Sequence, residues 1–127
     1  MVGKLIVVPL REIWENEAKD FTTWLEKNID VLNEHLSLDL DDTEIKRESA
    51  VGSFNADLIL KNPDGSLVII ENQLEKTDHD HLGKIITYLS NKNAKTAIWI
   101  VESERQEHKT AVKWLNKNCN IQFYLIK

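Results

Sequence analysis

The sequence predicts an α/β fold in which a mixed central sheet is flanked by helices. A segment with helical periodicity precedes three strand-like segments, and strand and helix patterns then alternate to the end of the chain. The late segment Thr96–Val101 is apolar throughout, which is typical of a strand covered on both faces. With 127 residues the chain can bury one hydrophobic core, so we expect a single domain over residues 1–127.

The first half of the chain begins with a short apolar run at residues 5–10. This run is too short for a signal peptide or a membrane span, so we expect an edge strand or a packing arm. Apolar side chains then recur at close to helical spacing over residues 15–36, and a strand is expected over about 44–51.

The second half of the chain supplies two more helices and the remaining strands. Thr77 and Asp80 resemble a capping box that opens a helix. The buried positions expected on this helix are Leu82, Ile85, Ile86 and Leu89. A last helix is expected over about 104–118, and residues 121–126 can close the sheet.

A β-hairpin is predicted between these helical regions. Apolar segments at 56–60 and 67–70 flank the turn sequence Asn62-Pro63-Asp64-Gly65. If residues 63–65 form the loop, with Gly65 in the left-handed conformation, Asn62 faces Ser66 across the hairpin. A two-residue turn is the alternative, and it would slip the register of the two strands.

The three-residue loop places Asp57 directly opposite Glu71. Directly opposed residues have Cβ atoms about 4.5–5.5 Å apart, where two like charges are destabilising. A Mg²⁺ ion between the two acids would turn this repulsion into attraction, because Mg²⁺ prefers carboxylate and water oxygens. The slipped register would leave both acids solvated instead.

The net charge of −5 is unusual for a nucleic-acid binder, but the charge is unevenly distributed. Residues 11–44 carry a net charge of −8, whereas residues 45–127 carry +2. Because phosphate binding depends on local basic patches, a nucleic-acid partner remains compatible with this composition. Cys119 is the only cysteine, which excludes a disulfide framework and favours a reducing cytoplasm.

The spacing of the acidic residues resembles that of the PD-(D/E)XK nuclease superfamily. Asp57 is followed, after thirteen residues, by Glu71-Asn72-Gln73 at the end of an apolar strand. The run at 71–83, with residues 53–57, is similar to the N-terminal domain of a prokaryotic family of unknown function. A further C-terminal domain often follows in that family, and we expect none within this chain. The resemblance covers most of the chain and implies a restriction-endonuclease-like αβββαβ core.

This resemblance implies a Mg²⁺-dependent endonuclease-like phosphodiesterase that acts on DNA, in genome defence or repair. Asp57, Glu71 and the backbone carbonyl of Asn72 would hold Mg²⁺, with Mn²⁺ as a substitute. Gln73 stands where the superfamily usually has lysine, and it lies on the strand face of Glu71, beside the metal site. Its amide can orient the attacking water but brings no positive charge to the transition state.

Two further catalytic residues are expected from the resemblance. Related nucleases often carry Gln-x-x-x-Tyr where this chain has Lys84 and Tyr88, so Lys84, or else Lys76, would replace the missing charge. An acid from the first helix often joins such sites, and Glu17 is the candidate, with Asp20 as its rival. Lys84 and the acids of the first helix can equally be ordinary solvated side chains.

Residues near the start of the predicted second-half helix are candidates for nucleic-acid contact. A helix start offers free backbone donors to a phosphate. The candidate contacts are Lys76, His79, His81 and Tyr88. The run 78–81 can also be interpreted as a Zn²⁺ or Mn²⁺ site, but its two histidines are two apart, which places them on different faces of a helix. A plain acid-rich helix start is the third interpretation.

Two functions of different classes follow from the sequence. The first is the nuclease described above, which would pair as a homodimer to cut both DNA strands. The second is a non-catalytic module of the same fold that binds nucleic acid or protein. The acid pair of Asp57 and Glu71 favours the nuclease, whereas Gln73 and the acidic charge balance favour the module. No membrane association is expected.

Overall fold

The computed structural model describes residues 17–51 and 54–127, and the apolar run at 5–10 lies outside them. Nine elements occur in the described part of the chain. In chain order they are α1 (Glu17–Lys27), α2 (Ile29–Leu36), β1 (Asp41–Val51), β2 (Phe54–Lys61), β3 (Leu67–Lys76), α3 (His79–Asn91), β4 (Thr96–Ser103), α4 (Gln106–Asn118) and β5 (Gln122–Ile126).

The five strands form one sheet in the order β1-β2-β3-β4-β5. β1 pairs with β2 and β2 with β3 in antiparallel orientation, whereas β3 with β4 and β4 with β5 pair in parallel. The parallel strands are connected through α3 and α4, as crossover connections require. The predicted mixed α/β sheet flanked by helices is therefore confirmed.

The predicted hairpin register is also confirmed. Gly65 has a positive φ of 87°, and the backbone N–H of Asn62 donates to the Ser66 carbonyl over 2.9 Å. The strands β2 and β3 pair in this register as far as Leu58 opposite Ile70. A glycine is needed at residue 65 because a side chain disfavours this backbone conformation.

Helices cover both faces of the sheet, and each face has its own hydrophobic core. The first core joins α1 and α2 to the sheet, with Phe21, Leu25, Leu32, Leu58 and Ile70 among its members. The second core joins α3 and α4 to the opposite face, with Ile69, Ile85, Tyr88, Trp99 and Val112 among its members. Alternation along β3 therefore directs even-numbered side chains towards α1 and odd-numbered side chains towards α3.

The helix predicted over residues 15–36 is two helices that are separated at Asn28. The Asn28 side-chain amide donates to the Trp24 carbonyl over 2.7 Å, which competes with continuation of the helix. Apolar spacing did not reveal the break, because both helices bury residues in the same core.

The capping box predicted at Thr77 is wrong by one residue. The N-cap of α3 is Asp78, whose side chain accepts the His81 backbone N–H over 2.8 Å. Thr77 is fully buried, and its hydroxyl instead contacts the His108 ring and accepts the Arg105 N–H.

The buried face of α3 also differs from the prediction. Ile85 and Leu89 are buried as expected, but Ile86 is 42% exposed. Tyr88 is buried in its place, with 2% exposure. The helix is therefore rotated so that the face carrying Tyr88 is turned towards the sheet. None of the helices in the described ranges is long and apolar enough to cross a membrane.

Two glycine substitutions should change stability in opposite directions. A Gly65→Ala variant should lower the free energy of unfolding by about 1–2 kcal/mol, because an L side chain disfavours positive φ. A Gly83→Ala variant should raise it by about 0.5–1 kcal/mol, because the added Cβ meets open space inside α3. Urea unfolding followed by circular dichroism measures both changes. Equal effects of the two variants would contradict the assigned backbone conformation of the hairpin.

Candidate active site

The two acids lie where β2 and β3 separate. Pairing of these strands ends at Leu58 opposite Ile70, so Asp57 and Glu71 are the first residues beyond the paired segment. The backbone N–H of Asn72 donates to Asp57 Oδ2 over 2.8 Å. The Asp57 carboxylate therefore bonds to the backbone edge of β3 that a continued ladder would have used.

Glu71 is buried beside Asp57, with only 6% of its surface exposed. Burial, then the charge of Asp57 and a hydrogen bond between the two side chains, raise the pKa of Glu71 to about 9. Its Oε2 atom is buried and has no hydrogen-bond partner within the described ranges. A buried carboxyl oxygen without a partner, next to a second carboxylate, suits a hard divalent cation.

The donor set for such a cation is small. No group of three or more histidine, cysteine or acidic residues that could hold a metal occurs among the residues that the structure describes. Asp57 and Glu71 would therefore supply the carboxylates, and backbone oxygen and water would complete the shell. This composition fits Mg²⁺, which usually keeps several waters and binds through one or two carboxylates.

Helix α3 brings Lys84 and Tyr88 to the acid pair. The positive charge of Lys84 opposes the rise in the pKa of Glu71, so the ammonium group lies within electrostatic range of that carboxyl. Burial, then the charges of Glu71 and Asp57, raise the pKa of Tyr88 to about 12. Lys84 and Tyr88 therefore both interact electrostatically with the acids, as their four-residue spacing on one helix face indicated.

Gln73 is buried and fully hydrogen-bonded inside the protein. Its Nε2 atom donates to the Lys76 carbonyl over 2.8 Å and to Asp78 Oδ2 over 2.9 Å. Its Oε1 atom accepts the indole N–H of Trp99 over 3.0 Å. Both amide hydrogens are used, so Gln73 could orient a water, as predicted, through the second lone pair of Oε1, or through Nε2 only if one of its two bonds were given up.

Two other predicted site residues involve the opposite face of the sheet. The Asn72 side chain points towards α1 and donates to Thr22 Oγ1 over 2.7 Å, whereas its backbone N–H holds Asp57. Glu17 is the first residue of α1, and its side chain lies outside the described part of the structure. Its predicted role stays a prediction.

The two histidines of the run at 78–81 have different partners. His79 Nδ1 contacts His108 Nε2 over 2.8 Å, and His81 Nδ1 contacts Asp78 Oδ1 over 2.8 Å. The rings are therefore not directed at a common ion, which disfavours the Zn²⁺ interpretation. Lys76 and His79 are exposed at the end of β3 and the start of α3, in positions where a nucleic acid can reach them.

The sequence analysis missed the buried ring of His108. Its Nδ1 atom contacts Thr77 Oγ1 over 2.7 Å, and its edge packs against Trp99. Burial, followed by the neighbouring His79, lowers the pKa of His108, which keeps the ring neutral. No local pattern marks this residue, because its partners come from β4 and from the β3–α3 connection.

Two solved structures resemble this fold. A crystal structure of a repair endonuclease from Pyrococcus abyssi aligns with 87% of this chain and 46% of its own, at 19% identity and a TM-score of 0.61. The structure of an EndoMS–dsDNA2 complex aligns with 87% of this chain and 44% of its own, at 15% identity and a TM-score of 0.53. The chain thus spans less than half the length of either structure.

These similarities show the fold, which is restriction-endonuclease-like. No family model and no curated protein matches the sequence. The closer resemblance to the prokaryotic family of unknown function therefore stays a prediction.

The raised pKa of Glu71 should give the metal-free protein a specific pH dependence. The folded state keeps the Glu71 proton up to a pH of about 9, whereas the unfolded chain releases it near 4.5. Between these values the unfolded state binds fewer protons, so stability should fall as pH rises, by up to about 1.4 kcal/mol per pH unit.

A Glu71→Gln variant should lack this fall, because its amide does not titrate. Urea unfolding between pH 5 and 9 in the presence of a chelator measures the free energy of unfolding of each protein. Glu34→Gln, at an exposed position of α2, is the matched control and should keep the wild-type slope. Parallel curves for wild type and Glu71→Gln would show that Glu71 is ionised in the folded state.

Proposed function

We propose that this chain is a Mg²⁺-dependent endonuclease-like phosphodiesterase that acts on DNA. The observation that carries the proposal is the pairing of Asp57 and Glu71 at the point where β2 and β3 separate, in a restriction-endonuclease-like fold. A buried carboxyl pair of this kind is destabilising without a cation or a shared proton. The arrangement is explained if the pair serves to bind a metal.

Asp57 and Glu71 would hold the ion through their carboxylates, and Asn72 would add its backbone carbonyl. On an extended strand the N–H and C=O of one residue face the same neighbouring strand, so the Asn72 carbonyl faces β2, as its N–H does. When bound, Mg²⁺ supplies a water of lowered pKa and stabilises charge on the phosphate, and Mn²⁺ can replace it. The Asn72 N–H keeps the Asp57 carboxylate in place for this role.

Lys84 would supply the positive charge that the superfamily usually places at the position of Gln73. Its ammonium group acts on the Glu71 carboxyl from α3, so the charge reaches the site from the helix and not from the strand. Negative charge that develops on a phosphate between Glu71 and α3 would be stabilised by this group. Tyr88, buried one turn further along, encloses the acids on the same side.

Several features support DNA as the substrate. One of the structures that shares the fold is an EndoMS–dsDNA2 complex. Exposed Lys76 and His79 lie at the same end of the sheet as the acids. Helix α4 and its N-cap add four basic side chains at four-residue intervals, namely Arg105, Lys109, Lys113 and Lys117. We place the activity in genome defence or repair, with a homodimer cutting both strands.

One observation favours the second candidate function, a non-catalytic module of the same fold that binds nucleic acid or protein. The residue at the usual lysine position, Gln73, is neutral, and its hydrogen bonds are satisfied within the protein. Such a domain would have the same fold but would not catalyse phosphodiester cleavage. The two candidates differ in whether bound DNA is cut.

Cleavage of labelled DNA tests the proposed activity. Single- and double-stranded DNA are incubated with the protein and Mg²⁺, Mn²⁺ or a chelator. We expect metal-dependent cleavage that Asp57→Asn lowers by at least about 10²-fold, because the metal loses a charged ligand. Asp39→Asn, at an exposed position before β1, is the control and should cut as wild type does. DNA binding without cleavage by both proteins would favour the non-catalytic module.

A second set of variants tests Lys84. A Lys84→Ala variant should lower the single-turnover cleavage rate by about 10²–10³-fold, the usual loss for one preorganised charged donor. Its thermal stability should stay close to that of wild type, because the side chain is partly exposed. Lys27→Ala, at the end of α1, is the control, because it removes an exposed helix lysine from the element on the other face of the sheet. Unchanged Mg²⁺-dependent cleavage by Lys84→Ala would remove this residue from the mechanism.

A further inference from the structure

His81 is held by a carboxylate that is itself held in place. Asp78 Oδ1 contacts both the backbone N–H and the ring Nδ1 of His81, each over 2.8 Å. Asp78 Oδ2 accepts the Gln73 amide over 2.9 Å. Both oxygens of Asp78 are therefore occupied, and Gln73 is in turn anchored by the Trp99 indole. The His81 ring is thus connected rigidly to β3 and β4.

The position of the hydrogen in the contact between His81 and Asp78 follows from the state of Asp78. Burial raises the pKa of Asp78, but hydrogen bonds from the backbone and ring of His81 outweigh this effect, and the pKa is lowered overall. An ionised carboxylate only accepts hydrogen bonds, so the hydrogen of this contact lies on His81 Nδ1. The other ring nitrogen, Nε2, has no hydrogen-bond partner among the described residues.

The position of His81 on α3 places its ring on the side of the helix that faces the acid pair. His81, Lys84 and Tyr88 are spaced by three and four residues, so they share one face of α3. The positive charge of Lys84 opposes the rise in the pKa of Glu71, and the charges of Glu71 and Asp57 help to raise the pKa of the neutral Tyr88 phenol, so this face is turned towards the acids. Gln73, which holds Asp78, is two residues from Glu71 along β3, or roughly 6–7 Å. The side chain of His81 is 24% exposed, so a bound substrate can reach it.

We propose that His81 is the general acid of the phosphodiester cleavage, with Asp78 and Gln73 as positioning residues. This inference rests on the proposed nuclease function. Water attacks the phosphorus and loses one proton to solvent, and the bond from phosphorus to the leaving oxygen breaks. The electron pair of that bond stays on the leaving oxygen, which takes the Nε2 proton of protonated His81. Solvent then returns a proton to His81.

This role also explains the glutamine at residue 73. A lysine there would place its charge on the strand, whereas Gln73 donates to Asp78 and accepts from Trp99 at the same time. Lysine has no acceptor and would leave the buried Trp99 N–H without its partner. The chain therefore uses residue 73 to orient the Asp78–His81 pair, while Lys84 carries the positive charge.

A DNA substrate with a sulfur leaving atom tests the proposal. Thiolates leave without protonation far more readily than alkoxides, so general-acid catalysis matters little for a substrate with sulfur in the bridging position. His81→Gln should lower the single-turnover rate on oxygen-bridged DNA by about 10²–10³-fold. On DNA carrying 3′- or 5′-bridging sulfur at the cleaved bond, it should lower the rate less than about fivefold. Asp78→Asn should lower the rate on oxygen-bridged DNA by less than His81→Gln does. On sulfur-bridged DNA it should likewise have little effect on the rate.

The control is His35→Gln, on α2 at the other face of the sheet, which should cut both substrates as wild type does. Equal losses by His81→Gln on both substrates would overturn the general-acid role and leave the nuclease function intact. Wild-type protein that cuts neither substrate with Mg²⁺ would overturn the nuclease function and this role together.

A measurement without substrate tests the positioning role of Asp78 separately from the cleavage reaction. Nitrogen-15 chemical shifts of the His81 ring should show the neutral tautomer with hydrogen on Nδ1 in wild type. In Asp78→Asn the other tautomer should become populated, because an amide can both donate and accept. A neutral wild-type ring with hydrogen on Nε2 and none on Nδ1 would overturn the assigned role of Asp78.

Discussion

The site depends on two carboxyl groups that meet where the hairpin strands stop pairing. Gly65 sets the loop, the loop sets the register, and the register brings Asp57 to Glu71. The Asn72 N–H then binds Asp57, and burial keeps Glu71 protonated in the absence of a cation. The close approach of these two buried carboxyl groups is unfavourable for the protein without a bound cation. Such unfavourable features concentrate at functional sites, where a ligand or a charge relieves them.

The site also requires helix α3, because this helix carries the charged and proton-bearing side chains that act on the acid pair. Its N-terminus is attached to the sheet through Gln73 and Asp78, and its inner face presents Lys84 and Tyr88. A slip of this helix by one residue would turn those side chains away. The hydrogen bonds of Gln73 to Trp99 and Asp78 therefore position the helix as well as satisfying a buried amide.

The contacts of the fold and the site were predictable from the sequence where the contacting residues lie close together in the chain. The acid pair is fourteen residues apart across one hairpin, so turn chemistry and strand alternation predicted it, and the structure decided against the slipped register. The pairing of Lys84 with Tyr88 followed from helix spacing. The break at Asn28 was missed because both helices bury apolar residues in the same core. The N-cap at Asp78 was missed because the neighbouring Thr77 offers similar capping chemistry.

The sequence by itself predicted the alternation of helices and strands and reduced the hairpin to two registers, one of which pairs the acids, because each depends on residues close together in the chain. Only the tertiary structure decided the partners of Gln73, His81 and His108. The indole of Trp99 reaches Gln73 from a parallel strand, and His108 reaches Thr77 from a helix that follows a crossover. Such contacts join distant segments. Their geometry is set by the packing of whole elements on the sheet, which no local pattern records.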